Sequence, residues 1–267
     1  MDGARVVEVN SQKVRLLEVG DGDPVVVLHG WGGRIESMAP VLRCLGQAFH
    51  VVAMDLPGFG ESPVPAGAWG TPDYAEFVHD VVTSLGIERA AFVGHSYGAK
   101  TSLYLAATHT DFVTKLVAQG ASGLRSAPSL TAQGKRLVGR GARFAGSLGP
   151  PGRALKQFLY ARIASQDYKD AGELRPILVK VVNEDIGPLL GNIDAPTLLL
   201  WGTEDDAAPL AQGKRMEQLI PDAALIEFAG AGHFAYLDER DRFCTIVRHF
   251  LGAPVDGQGP AAEQTSG

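Results

Sequence analysis

Only two cysteines, Cys44 and Cys244, occur in the 267 residues. So few, so far apart, build no disulfide framework and offer no zinc-ligand spacing, and they read as two reduced thiols. No apolar run approaches the roughly 18 residues of a membrane-crossing helix. The opening MDGARVVEVNSQ lacks a basic stretch followed by an apolar one, so no secretory signal is expected. Basic residues are outnumbered, 24 Lys and Arg against 30 Asp and Glu, which leaves a net charge of −6. The basic footprint of a nucleic-acid binder is therefore missing. These absences point to a cytoplasmic protein with no membrane span and no nucleic-acid partner. They leave its oligomeric state open.

What is present is a large apolar fraction, 45% of the chain, enough for one sizeable core. Two short β-branched runs, ARVVEV and KVRLLEVG, read as an opening hairpin. PVVVLHG from Pro24, HVVAMD (50–55), AAFVGH (90–95), TKLVAQG (114–120) and PTLLLWG (196–202) are continuous apolar runs of strand length, the mark of strands buried on both faces. Helical patterns fall between and after them, near 36–48, 73–86, 96–108, 209–220 and 235–251. Buried strands alternating with helices predict an α/β fold with a mostly parallel sheet flanked by helices. Ligands of such sheets bind beyond the carboxyl ends of the strands.

The stretch 123–190 breaks that rhythm. It holds three helix-like pieces, the first two separated by GPPG, and eleven Lys and Arg against five Asp and Glu. A basic helical insertion after the sixth strand predicts a lid on a core formed by 1–122 and 191–252. The Gly- and Pro-rich tail 253–267 lacks periodicity and is expected to be disordered.

Gly94-His95-Ser96-Tyr97-Gly98 fits G-x-S-x-G, and it joins a strand pattern to a helix pattern. That is the context of a nucleophile elbow. A serine hydroxyl is a weak nucleophile and needs a base oriented by a third group. Candidates follow in the order Ser, acid, His. WGTEDDAAP ends a buried strand and offers Glu204, Asp205 and Asp206; Asp205 is the choice, and its neighbours read as solvated loop carboxylates. GAGHFAYLDE places His233 in a loop after the last strand pattern. Two backbone N–H groups are needed for an oxyanion, and Tyr97, after the serine, and Trp31, in HGWGG, are positioned to supply them. His29, Phe59, Arg125 and Phe234 are pocket candidates. His29 also reads as a brace for its loop, and Arg125 as the lid cation facing inward. His50, His79, His109 and His249 show no partner pattern and read as structural or surface residues.

Taken in order, HGWGG, DLPGFGES (55–62), GHSYG, WGTEDDAAP and GAGHFAYLDE resemble the α/β-hydrolase superfamily from about residue 5 to 251. The resemblance implies a serine hydrolase with the triad Ser96–Asp205–His233, no cofactor and no metal. Relatives that open epoxides or displace halides carry an aspartate at the elbow, and here the residue is serine. A small carboxylic ester is the expected substrate. The alternatives are carbon–carbon cleavage of a vinylogous diketone acid, lactone, thioester or amide hydrolysis, cofactor-free haloperoxidase-like activity, and a non-catalytic receptor.

Overall fold

The computed structural model describes residues 3–124 and 172–253. The chain divides into two units, Met1–Leu124 with Glu184–Gly267, and Arg125–Asn183. Most of the expected lid, Arg125 included, and the tail from 254 lie outside the described residues. Within the second unit, one helix is described, at Arg175–Asn183.

The first unit is built on eight strands: β1 (Arg5–Val9), β2 (Gln12–Val19), β3 (Pro24–Leu28), β4 (His50–Met54), β5 (Ala90–His95), β6 (Val113–Gln119), β7 (Thr197–Gly202) and β8 (Ala223–Phe228). β1 and β2 pair antiparallel through Asn10 and Ser11, at φ 50° and 63°. Left-handed backbone at both central positions is what a two-residue hairpin turn requires. β2 then runs antiparallel to β4, and every later pairing is parallel. The order β1-β2-β4-β3-β5-β6-β7-β8 confirms the mostly parallel sheet. β4 lies on one side of β3 and β5 on the other, so the order reverses between β3 and β5. A crevice opens beyond the strand ends at such a point, and HGWGG and GHSYG sit there.

Seven helices are used below: α1 (Ala39–Leu45), α2 (Thr71–Ser84), α3 (Tyr97–Thr108), α4 (Arg175–Asn183), α5 (Leu210–Leu219), α6 (Ala235–Asp238) and α7 (Arg240–Leu251). The single helix expected over 235–251 is interrupted at Glu239, whose φ of −127° and ψ of 55° depart from helix. α1, α6 and α7 cover one face of the sheet and share a core with Val25, Val27, Val51, Val93, Val117 and Leu200. Phe243, Val247 and Leu251 put one buried residue per turn of α7 against that core. Each such side chain contributes about 1.5–3 kcal/mol by leaving water. α2, α3 and α5 contribute nothing to that cluster, and α2 packs along α3.

The reduced-thiol expectation is corrected by this packing. Cys44 lies in the last turn of α1 and Cys244 in the first half of α7, and they form a disulfide with their Cα atoms 6.1 Å apart. Two hundred residues of separation hid the pair; shared burial of two helices on one sheet face brings it together. A disulfide closing so long a loop stabilises chiefly by restricting the unfolded chain. Unreduced, urea-denatured protein should therefore show no titratable thiol, and Cys44→Ser/Cys244→Ser should lower unfolding free energy by about 2–4 kcal/mol. Two free thiols in the denatured protein would refute the bridge.

Candidate active site

The serine is the single residue between β5 and α3. Its backbone has φ 52° and ψ −109°, a conformation that costs a non-glycine residue on the order of 1–3 kcal/mol. The flanking glycines let the turn close. A Cβ at Gly94 would stand 2.5 Å from the Ala99 backbone, and one at Gly98 would stand 2.5 Å from the carbonyls of Leu28 and His29. Ser96 N–H donates to Gln119 O at 2.9 Å and Ser96 O accepts from Lys100 N–H at 3.0 Å, so both peptide groups are anchored. Ser96 is partly exposed while its neighbours on both sides are buried. Tyr97 is the first residue of α3, where a helix leaves its N–H groups without acceptors of its own.

Of the three acids after β7, one is buried. Asp205 is 5% exposed, and Glu204 and Asp206 face solvent. Asp205 Oδ1 accepts from the N–H groups of Ala207 and Ala208, at 2.9 and 2.8 Å. That leaves Oδ2 for His233 Nδ1, 2.8 Å away. Gly120, directly after β6 and at φ 54°, admits the pair: a Cβ there would meet His233 Nδ1 at 3.1 Å and Asp205 Oδ2 at 3.2 Å.

The His233 loop is held by two residues that sequence reading left out. His95 Nε2 and Gln119 Nε2 both donate to the carbonyl of His233, each at 3.0 Å. His95 also lays its ring 4.8 Å from the His233 ring. Burial, then the charge His233 would carry, push the His95 pKa down to about 3. His95 is therefore a neutral donor beside His233 rather than a cation. It occupies the variable position of G-x-S-x-G, and Gln119 ends a strand 114 residues before His233; neither has a motif of its own to reveal it.

Beyond β3, Gly30 O accepts from Gly33 N–H at 2.9 Å and turns the loop that carries Trp31. Gly30 lies against the elbow, since a Cβ there would come within 3.1 Å of Ser96 Cβ. His29 is buried behind this loop. Leu56 N–H donates to its Nε2 at 3.0 Å, so Nδ1 carries the proton and donates to Gly30 O at 2.7 Å. Burial holds its pKa below the ordinary histidine value. The structure thus favours the bracing role of His29. Asp55, fully buried, ties the same loops: it accepts from Ile35 N–H at 2.7 Å and Glu61 N–H at 2.9 Å, and pairs with Arg15 at 3.2 Å. Arg15 also grips Glu36 at 2.7 Å, and that hydrogen bond takes the Glu36 pKa down to about 2.

Phe59 is buried and packs edge-on against Trp31 at 4.9 Å. Phe234 stays 45% exposed, 4.9 Å from the His95 ring and 5.3 Å from the His233 ring. Arg125 cannot be placed in this arrangement, being outside the described residues.

A family model for the alpha/beta hydrolase fold matches residues 23–151 and 177–240. The chain is 28% identical over 261 residues to a 2-hydroxy-6-oxo-6-phenylhexa-2,4-dienoate hydrolase of Comamonas testosteroni, covering 88% of this chain and 89% of that protein. It is 26% identical over 265 residues to a 2-hydroxy-6-oxononadienedioate/2-hydroxy-6-oxononatrienedioate hydrolase of a Pseudomonas species, covering 91% and 93%. Among solved structures it is similar to a bacterial membrane phospholipase A, with a TM-score of 0.75, 25% identity, and coverage of 93% of this chain and 85% of that one. The family match, the sheet order and the strained serine turn agree, and the chain belongs to the α/β-hydrolase fold family.

Proposed function

We propose that the protein is a serine hydrolase that cleaves the carbon–carbon bond of a 2-hydroxy-6-oxodienoate-type acid. The observation that carries the chemistry is the buried Asp205 carboxylate on His233 Nδ1, beside a serine held in a strained turn. What supports the substrate is the full-length similarity to two hydrolases of such acids. Ser96 Oγ attacks the ketone carbon and His233 takes its proton. Asp205 fixes the imidazole tautomer and stabilises the cation that forms. The backbone N–H groups of Trp31 and Tyr97 receive the oxyanion, each contributing about 2.7–4 kcal/mol.

A carbon leaving group needs a sink for its electron pair. A proton moved onto the chain beside the ketone converts the dienol to a conjugated 2-keto acid. When the carbon–carbon bond breaks, that keto acid takes up the pair as a dienolate, and the other fragment stays on Ser96 as an ester. His233 gives its proton to the departing dienolate, which leaves as a 2-hydroxydienoic acid; the neutral His233 then deprotonates water, which attacks the ester and releases Ser96 and the carboxylic acid. No step calls for a metal or an organic cofactor.

A simple ester, the substrate expected from the sequence, is the second reading, and the similarity to a phospholipase A favours it. The two are separated by rates on one preparation. Turnover of 2-hydroxy-6-oxo-6-phenylhexa-2,4-dienoate should exceed that of p-nitrophenyl butyrate in kcat/KM by about 100-fold, or roughly 2.7 kcal/mol of transition-state preference. Equal or reversed rates would transfer the assignment to the ester. The disulfide also argues for oxidising surroundings, in which such bonds persist, and against the cytoplasmic placement drawn from composition.

The machinery has its own test. Ser96→Ala and His233→Ala should each lower kcat by about four powers of ten or more, with Asp205→Asn costing somewhat less. Asp206→Asn and Glu204→Gln should stay within about twofold of wild type. A larger loss at Asp206 than at Asp205 would overturn the choice of acid.

The loop clamp predicts a subtler effect. Gln119→Leu removes one of the two donors to the His233 carbonyl and should lower kcat by about tenfold with the fold retained by circular dichroism. An unchanged kcat would show that His95 alone holds the loop.

A further inference from the structure

Three side chains on the far side of the molecule from the serine come together without any role in the chemistry above. Glu76 and His79 lie three residues apart on α2, on one face of the helix. His109 is the cap residue at the carboxyl end of α3. Each offers one ligand atom, and the three atoms lie within 4.8 Å of one another. Ser96 precedes the other end of the 12-residue α3, about 18 Å away along the helix, so the cluster is separate from the active site.

We infer that Glu76, His79 and His109 form a binding site for a divalent late first-row cation such as Zn²⁺, bridging α2 to the end of the nucleophile helix. Two imidazoles and one carboxylate suit such an ion and not Mg²⁺ or Ca²⁺, which take oxygen ligands. The spacing fits. Two atoms bound tetrahedrally at zinc–ligand distances lie about 3.4 Å apart, and Glu76 Oε2 stands 3.4 Å from His109 Nε2. The imidazole centroids of His79 and His109 are 4.5 Å apart, so small side-chain rotations bring both rings to one ion.

The surroundings orient the rings. Thr108 Oγ1 lies 3.0 Å from His109 Nδ1, which fixes that edge and leaves Nε2 toward Glu76. Phe112 packs edge-on at 4.6 Å against His79. His79 Nδ1 is shielded from solvent with no hydrogen-bond partner among the described residues, and Asp80 Oδ1 stands 3.7 Å from it. Closing that 3.7 Å gap to a hydrogen bond would put a carboxylate behind the imidazole, the outer arrangement that fixes tautomer and raises ligand basicity. Glu76 is 60% exposed, which keeps an entry path and room for water on the ion.

The test is calorimetric titration of the chelator-stripped full-length protein with ZnCl₂, beside Glu76→Gln, His109→Asn and His233→Ala. The expected result is one tight site in the wild type, affinity lowered by at least about tenfold in Glu76→Gln and His109→Asn, and affinity retained in His233→Ala. Zn²⁺ should also raise the melting temperature of the wild type more than that of the two ligand variants, because binding to the folded state alone stabilises it. MgCl₂ should give no comparable heat. Absence of Zn²⁺ binding, unchanged affinity in either ligand variant, or loss in His233→Ala would overturn the site. Glu76→Gln alters an exposed side chain and decides the question if His109→Asn fails to fold.

Discussion

Everything at the crevice depends on one backbone constraint, the left-handed turn at Ser96. A side chain held at φ 52° is costly, and the cost is borne only because the chain on either side is locked. β5 is buried between β3 and β6, and the first turns of α3 press on the end of β3 so closely that Gly98 has no room for a Cβ. The turn lifts Ser96 out of a buried surround while pointing the start of α3 at the same spot. Negative charge that develops there meets the favourable end of a helix dipole and unpaired N–H groups.

Around that turn, the loops after β3, β4, β7 and β8 are fixed by buried polar groups rather than by regular structure. Asp55 and His29 tie the loop after β3 to the loop after β4. Asp205 spends one oxygen on its own loop and the other on His233. His95 and Gln119 hold the carbonyl of the same histidine from two neighbouring strands. Buried donors and acceptors left unmade are expensive, so each bond resists displacement of a loop by more than its net worth. A site assembled from four separate loops needs that resistance, because reacting groups lose their advantage within about an ångström of misplacement.

The two helix layers are fastened differently. On one face the Cys44–Cys244 bridge joins α1, which follows the Trp31 loop, to α7, which follows the His233 loop. On the other, α2 packs along α3, and the proposed cation site lies where the two helices meet at the end remote from Ser96.

The amino-acid sequence by itself determined the parallel sheet and the strand-turn-helix that carries Ser96, and it nominated Asp205 and His233 as partners of that serine, for local reasons. Strands buried on both faces must be apolar throughout, a strand-to-helix turn this tight demands glycine before and after, and Gly-x-Ser-x-Gly therefore survives as a readable string. The acid stood in a triplet from which the resemblance chose Asp205, and burial gives that choice a physical reason, since Glu204 and Asp206 are equally acidic neighbours that face water. The partners of other residues were decided by tertiary structure alone. Nothing near Cys44 or Cys244 announces a bridge, because its cause is two helices sharing one face of the sheet. His95 and Gln119 acquire their role from a carbonyl more than a hundred residues away. Glu76 and His79 meet His109 only because α2 and α3 lie side by side. Periodicity and local sterics are written along the chain, whereas proximity between distant side chains exists only once the layers have packed.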